Sequence, residues 1–338
     1  MWARTLTSQV TLSAERAPAA YETKAPLVGV GARAAIRFWP LLVPLVGLVE
    51  LGAQIYDSHK APTAQQWSDV RSLVESLRAP GSVVVIAPYW AEPMARWKFG
   101  AASMPLRDVA RADATRYPKA LEVSFLGKRS PELAGWSLEQ EKRSGPFTLR
   151  VLANPAAPSV TYDFVDHLDA TSADVLIESG ADAKACTFTS PAAIEGGGLG
   201  GPPIYPASRF VCEGQPSHVS VGVTIIDDEQ ARPRRCIWSH PPAAGELVTR
   251  MRGVPLGAEI RGHAGMGWLI ERDRTGPPFT IRVLVSGREI GRAVHVDGDF
   301  WKPFSIPLGA FARQTADVEF RVSAERGGTH VCFEADSR

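Results

Sequence analysis

The 338-residue sequence predicts a small α/β unit followed by an antiparallel, jelly-roll-like β-sandwich, both lying beyond a single N-terminal transmembrane helix. Three observations carry that prediction. One apolar run, Phe38 to Tyr56, stands near the start with basic residues before it. A continuous β-branched run, Val83 to Ile86, follows a helix-spaced apolar stripe, and from Ser217 onward short stretches alternate apolar with polar side chains between turns. Alternation buries one strand face and solvates the other, whereas an unbroken β-branched run suits a strand covered on both sides.

Residues 1–35 show no sustained period and are expected as a disordered cytoplasmic tail. Arg4, Arg16, Lys24, Arg33 and Arg37 precede the apolar run against only Glu15 and Glu22. This bias predicts that the N-terminus stays inside and the bulk of the chain is extracytoplasmic, in a periplasm or at the cell surface. Residues 36–56 are the expected signal-anchor, because Phe38 to Tyr56 as a helix reaches about 28 Å, the thickness of a bilayer core. Pro40, Pro44 and Glu50 interrupt the run. Two other readings compete: a cleavable signal with Leu51-Gly52-Ala53 as its processing site, and a buried helix of a soluble protein.

Residues 57–158 are expected as the α/β unit. Trp67, Val70, Leu73, Val74 and Leu77 fall on one helix face, Ala79-Pro80-Gly81 stops that helix, and Ser82 to Ala87 forms the buried strand. Trp90, Met94 and Trp97 are spaced as a second helix, and Ala120 to Leu126 is a second strand. Trp136 to Lys142 and Phe147 to Leu152, broken at Ser144-Gly145-Pro146, complete a hairpin. The order "APGSVVVIAP", "YWAEPMARWKFG", "ALEVSFL" and "WSLEQEKRSGPFTLRVLANP" resembles the extracytoplasmic tail of multi-pass, lipid-linked-sugar-dependent glycosyltransferases, the group that includes dolichyl-phosphate-mannose protein mannosyltransferases. The resemblance implies a sugar-related envelope setting and a multi-pass membrane protein as partner. Those enzymes hold their catalytic acid between many membrane helices, and this chain offers one, so glycosyl transfer is not carried over.

Residues 159–216 are rich in glycine and proline around short strand-like pieces such as Asp174 to Glu178, and read as a connector closed by a disulfide; the glycine run Gly196 to Gly201 lacks a following Lys-Ser or Lys-Thr and reads as a loop rather than a phosphate cradle. Residues 217–338 are expected as the sandwich, with strands at Val219–Ile226, Arg235–His240, Leu247–Met251, Ala258–Gly262, Gly267–Glu271, Phe279–Val285, Glu289–Val296, Trp301–Ile306, Val318–Ala324 and Thr329–Ala335. The piece "PFTIRVLVSGREIGRAVHVDGDFWKPFSIPL", with a hairpin at Ser286-Gly287, resembles a galactose-binding-like or carbohydrate-binding jelly roll. That resemblance implies a glycan as ligand.

Four cysteines allow three pairings, of which Cys186 with Cys212 and Cys236 with Cys332 is the favoured set; zinc is the alternative, and no Cys-x-x-Cys spacing supports it. Asp297 and Asp299, beside His295, are a candidate calcium site, weighed against a polar turn with Asp-Gly at its corner. No other cofactor is expected. His240 and His263 join His295 in a metal site only if the fold gathers them. Asp227, Asp228 and Glu229 followed by Arg232, Arg234 and Arg235 read as a solvated face of surface ion pairs. Trp238, Trp268 and Trp301 are candidate sugar platforms, weighed against buried core tryptophans. A formal net charge of +1 gives no electrostatic case for nucleic acid. Neither a G-x-S-x-G elbow nor an H-E-x-x-H helix occurs. The expectation is a non-catalytic, membrane-anchored envelope protein that binds glycan, with an accessory subunit or remnant of a glycosyltransferase as the alternative.

Overall fold

The computed structural model describes residues 30–190, 206–216, 218–327 and 329–338, with side chains described from residue 42 onward except 57–59. Most of the expected tail, residues 1–29, and the glycine run Gly196 to Gly201 lie outside the described residues. Met1–Lys60 and Ala61–Arg338 form two separate compact units. The first contains helix α1 (Val30–Lys60), which begins within the stretch expected as tail. Leu42, Val43, Leu45, Val46, Leu48, Val49, Leu51, Ile55 and Tyr56 are all exposed along it. Among the described residues no helix is long and apolar enough to cross a membrane.

The second unit opens with α2 (Ala64–Leu77). Thr63 and Gln66 form a reciprocal cap, the Thr63 hydroxyl accepting from the Gln66 amide at 3.3 Å and the Gln66 side chain accepting from the Thr63 amide at 2.8 Å. Strand β1 (Val83–Ala87), α3 (Glu92–Ser103), the single turn α4 (Leu106–Val109), β2 (Lys119–Ser124), β3 (Ser137–Ser144) and β4 (Phe147–Ala153) follow. They make a sheet of order β1-β2-β4-β3, with β1 and β2 parallel and the rest antiparallel. Trp67 of α2 sits at the centre of its core, 4.6 Å from the Phe147 ring, 5.6 Å from Phe99 and 5.8 Å from Phe125. The edge strand β3 is exposed along almost its whole length and carries Glu139, Glu141, Lys142 and Arg143, charges that discourage pairing with another chain.

Beyond it lie β5 (Tyr162–Asp163), β6 (Ala173–Ser179), β7 (Asp182–Ala185), β8 (Thr187–Thr189), β9 (Arg209–Val211), β10 (Ser220–Asp227), β11 (Pro233–Ser239), β12 (Glu246–Pro255) and β13 (Glu259–Gly265). Helix α5 (Trp268–Asp273), β14 (Phe279–Val285), β15 (Arg288–His295), β16 (Lys302–Pro307), β17 (Thr315–Ala324) and β18 (Cys332–Ser337) complete the chain. One sheet runs β16-β13-β18-β11-β10-β9-β8 with β5 added beside β18, and the other runs β15-β14-β17-β12-β6-β7. Val221, Ile237, Ile260 and Phe333 of the first sheet meet Leu247, Met251, Ile281, Val283 and Phe320 of the second in one apolar core, so the two sheets form a sandwich. Ser286 and Gly287 both take positive φ, 49° and 78°, as the two-residue hairpin between β14 and β15 requires.

Two local expectations differ from what forms. Gly267–Glu271, expected as a strand, is the start of α5: an apolar run of three residues, Trp268 to Ile270, does not separate the two periods, and Gly267 serves as the extended N-cap while the buried Glu271 carboxylate accepts from the Gly298 amide at 2.6 Å. The stretch expected as a connector supplies β5 to β9; its expected strand-like piece, Asp174 to Glu178, lies within β6, which pairs along its whole length but one residue with the core strand β12 and so belongs to the sandwich. Both disulfides form, Cys186 with Cys212 and Cys236 with Cys332.

The α/β unit sits against the outer face of the β13-β18-β11 sheet through charge rather than apolar contact. Arg111 reaches Asp163 at 2.8 Å and Glu334 at 3.7 Å, Arg116 reaches Asp163 at 2.6 Å and Asp336 at 3.5 Å, and Arg338 reaches back to Asp113 at 3.0 Å. The Ala112 amide donates to Glu334 at 3.0 Å, and the Arg235 amide donates to the Ala110 carbonyl at 2.8 Å. The acidic turn expected as a solvated face belongs to the same junction. Asp228 and Arg234 are both buried and paired at 2.7 Å, while Arg232 pairs with Glu132 and Arg235 with Asp166.

Burial acts to raise the Asp163 carboxyl, but Arg111 and Arg116 outweigh it and hold it below the ordinary value of 3.8. A depressed carboxyl contributes stability that is complete above its unfolded pKa and is lost as pH falls through the folded one, so the Asp163 contribution fades below about pH 3.8. Replacing Arg111 with alanine removes one of the two arginines on the buried Asp163 and the arginine that reaches the buried Glu334, and is expected to cost about 3–5 kcal/mol at pH 7, measured by urea unfolding.

Candidate functional site

Alternation along β11 sends Ile237 into the sandwich core and Cys236 and Trp238 to the opposite face, where the register pairs Trp238 with Cys332 of β18. Ile226 joins them, and Trp301 packs on the cluster. Trp301 lies so close to β13 that a Cβ at Gly265 would stand 2.6 Å from its ring. Gly222, opposite Trp238 on β10, is equally constrained, since a Cβ there would stand 2.7 Å from the Ser208 carbonyl oxygen.

Over this outer cluster the chain leaves a cleft of about 360 Å³ lined by Ile225, Ile226, Asp227, Trp238, Gly267, Trp268, Leu269, Ile270 and His330. Its volume lies in the range of small-molecule sites. Trp238 is buried in the floor, whereas Trp268 and Ile225 are each 37% exposed and Leu269 is 50% exposed. The Arg272 guanidinium lies 4.8 Å from the centre of the Trp268 ring and braces it. Asp227 and His330 supply polar groups among otherwise apolar walls.

Behind the floor, Trp238 stacks on His240 with ring centres 3.9 Å apart, and His330 lies 4.6 Å from His240. Burial pushes the His240 imidazole well below the ordinary value of 6.5, and the neighbouring His330 and His218 push it the same way. Burial, and then His218, likewise lower His330. Both rings are therefore neutral near pH 7.

The sequence-selected tryptophans thus come together: Trp238 and Trp268 line one cleft, and Trp301 supports its floor. The histidines do not. His263 lies 3.3 Å from Glu334 at the domain junction, His295 lies 2.9 Å from the buried Glu271, and His240 stays with Trp238. Asp297 accepts from the Gly276 amide at 2.9 Å, while Asp299 accepts from the Val296 amide at 3.0 Å and pairs with Lys302 at 2.7 Å. These bonds close the turn after β15, and among the described residues no group of three or more His, Cys, Asp or Glu side chains is placed to hold a metal ion. Ile225, Leu269 and His330 were not visible as site residues in the sequence. The signal for Leu269 is an apolar side chain left outside the sandwich core, which reading α5 as a strand conceals.

A second, enclosed pocket at the junction of the α/β unit and the sandwich is lined by Tyr89, Glu92, Tyr117, Glu132 and Arg232 among others, but its volume of about 30 Å³ accommodates little more than water.

No protein-family model matches the chain, and no curated protein matches it. Solved structures that align with parts of it include the CBM51-2 and INT domains of Clostridium perfringens ZmpB in complex with GlcNAc, at 12% identity over 34% of this chain and 25% of that one, with a TM-score of 0.25. The CBM51 of Clostridium perfringens GH95 in complex with methyl-galactose aligns at 12% identity over 34% of this chain and 81% of that one, with a TM-score of 0.24. A further structure of the CBM51-2 and INT domains of ZmpB aligns over 60% of this chain and 40% of that one, at 11% identity and a TM-score of 0.29. This chain therefore spans less than two thirds of both ZmpB structures, and no functional residue is carried across from any of the three.

Trp238→Ala is expected to cost about 3–5 kcal/mol of stability and Trp268→Ala less than about 1 kcal/mol, read from chemical denaturation. The two depressed imidazoles resist protonation in the folded state while their unfolded forms protonate near 6.5. Stability therefore declines as pH falls below about 6.5, and His240→Leu flattens that decline in urea midpoints taken between pH 5 and 7.

Proposed function

We propose that the chain is a non-catalytic, membrane-anchored protein of the cell envelope whose β-sandwich binds glycan in the Trp238–Trp268 cleft. The observation that carries the binding role is the half-exposed Trp268 indole set beside Ile225 and Leu269, with Asp227 and His330 among them. A sugar ring offers an apolar C–H face to such an indole and hydroxyl groups to the polar side chains. The lining includes one carboxylate and no serine, cysteine or lysine nucleophile. Glycoside hydrolysis ordinarily employs two carboxylates, which favours binding over turnover.

Placement outside the cytoplasm is supported by the two disulfides, which account for all four cysteines and suit an oxidising compartment. Anchoring through residues 36–56 is supported by the row of exposed apolar side chains on α1, an arrangement water does not favour, and by the basic residues that precede it.

Screening the full chain in detergent on a glycan array, followed by calorimetry on the retained sugar, tests the binding role. Trp268→Ala is expected to weaken binding at least tenfold without lowering the melting temperature. Retention of no glycan by the wild type, or equal binding by the variant, rejects the cleft. Recovery of the full chain in the soluble fraction of disrupted cells rejects the anchor independently.

A further inference from the structure

The α/β unit carries a second exposed apolar surface that shares no residue with the cleft. Trp90, Met94 and Trp97 follow one another at intervals of four and three residues, which places them on one side of α3 and the turn that enters it. The opposite side of α3, with Ala95 and Phe99, fills the core. Trp97 is 69% exposed, Trp90 58% and Met94 39%, so the described residues leave much of the stripe uncovered. Trp90 also meets Phe125 edge-on at 5.7 Å, which brings the stripe beside the next residue, Leu126. Leu126 is 44% exposed and sits with Gly127 in a tight turn, both at positive φ of 55° and 66°, closed by the Lys128 amide donating to the Phe125 carbonyl at 3.1 Å.

The charges on these two segments are one-sided. Residues 89–100 and 126–130 contain Arg96, Lys98, Lys128 and Arg129; Arg96 lies 3.8 Å from the buried Glu92 and Arg129 pairs at 2.7 Å with the buried Glu122, which leaves Lys98 and Lys128 as the cations that form no ion pair among the described residues. The Lys98 ammonium sits 4.1 Å from the centre of the Trp97 ring, an indole and a cation presented together. Indole rings interleaved with lysine and arginine are the side-chain set that settles at the headgroup level of a bilayer, where the ring is half in hydrocarbon and the cation meets lipid phosphate.

We propose that the Trp90–Met94–Trp97 stripe, with Leu126 and its basic neighbours, docks the α/β unit onto an anionic lipid surface. The proposal deepens the membrane reading given above, yet its test does not involve α1. Residues 61–338 contain every apolar core cluster of the described chain and form a compact unit of their own, so they can be used without the helix.

Co-sedimentation of that piece with phosphatidylcholine vesicles, with and without phosphatidylglycerol, reads the interaction directly. Binding to the anionic vesicles is expected, with a blue shift of tryptophan fluorescence, a loss of at least tenfold in Trp97→Ser and in Met94→Ser, and a loss confined to anionic vesicles in the double variant Lys98→Glu, Lys128→Glu. Trp97 is largely exposed, so an unchanged melting temperature certifies the fold of its variant, and Met94→Ser provides a second reading. No sedimentation with either vesicle overturns the proposal. Equal binding by Trp97→Ser also overturns it, and so does a dimer in light scattering that Trp97→Ser dissolves, which assigns the stripe to a second copy of the chain. Failure of α1 to anchor the full chain in cells leaves the vesicle result standing.

Discussion

A layer of opposed charges joins the α/β unit to the sandwich, and it decides how the rest of Ala61–Arg338 is arranged. Arg111, Arg116 and Arg338 face Asp113, Asp163, Glu334 and Asp336, nearly all removed from water. Apolar packing tolerates sliding by a fraction of a residue, whereas a buried guanidinium tolerates almost none, because each displaced charge is left without water or partner. The layer therefore fixes orientation more than it adds net stability. Burial raises Asp336 even with Arg338 and Arg116 beside it, while Asp163 is lowered, so neighbouring carboxylates in the same layer are driven in opposite directions by their different shares of the arginines.

Much of the architecture was legible because it rests on local periodicity. The alternation in Thr280-Ile281-Arg282-Val283-Leu284-Val285 identifies a strand, and that strand pairs residue for residue with β17. Gly222 and Gly265 show the limit: nothing in the sequence says that one must admit a carbonyl and the other an indole ring, since both constraints come from chain that is distant in sequence. The same limit applies to β6: Asp174 to Glu178 reads as a strand-like piece inside a connector, but its pairing with β12, which makes it part of the sandwich, is set by chain distant in sequence. Asp228 and Arg234 read as surface charges because charge is usually solvated, and only the approach of Ala110 and Arg111 removes their water.

The candidate site was half legible for a related reason. Aromatic residue type singled out Trp238, Trp268 and Trp301, but their separate tasks as floor, wall and support depend on which side of a sheet each occupies. Trp238 reaches the cleft because its neighbour Ile237 takes the inward position, and Trp268 reaches it because Gly267 starts a helix instead of extending a strand. The sandwich thus spends its inner faces on its own core and turns an outer face to two tasks, docking the α/β unit along β13 and β18 and flooring the cleft along β10 and β11.

The two disulfides carry a consequence for the fate of the chain once cut. Cys186–Cys212 spans 26 residues and Cys236–Cys332 spans 96, so each closes a covalent ring. A protease that nicks the backbone anywhere inside either ring leaves both pieces attached to one another, and the severed molecule migrates as a single species until a reductant opens the sulfur link. The charge layer and the cleft floor stay on one connected polymer after such a cut, because β18, which contributes to both, remains bonded to β11.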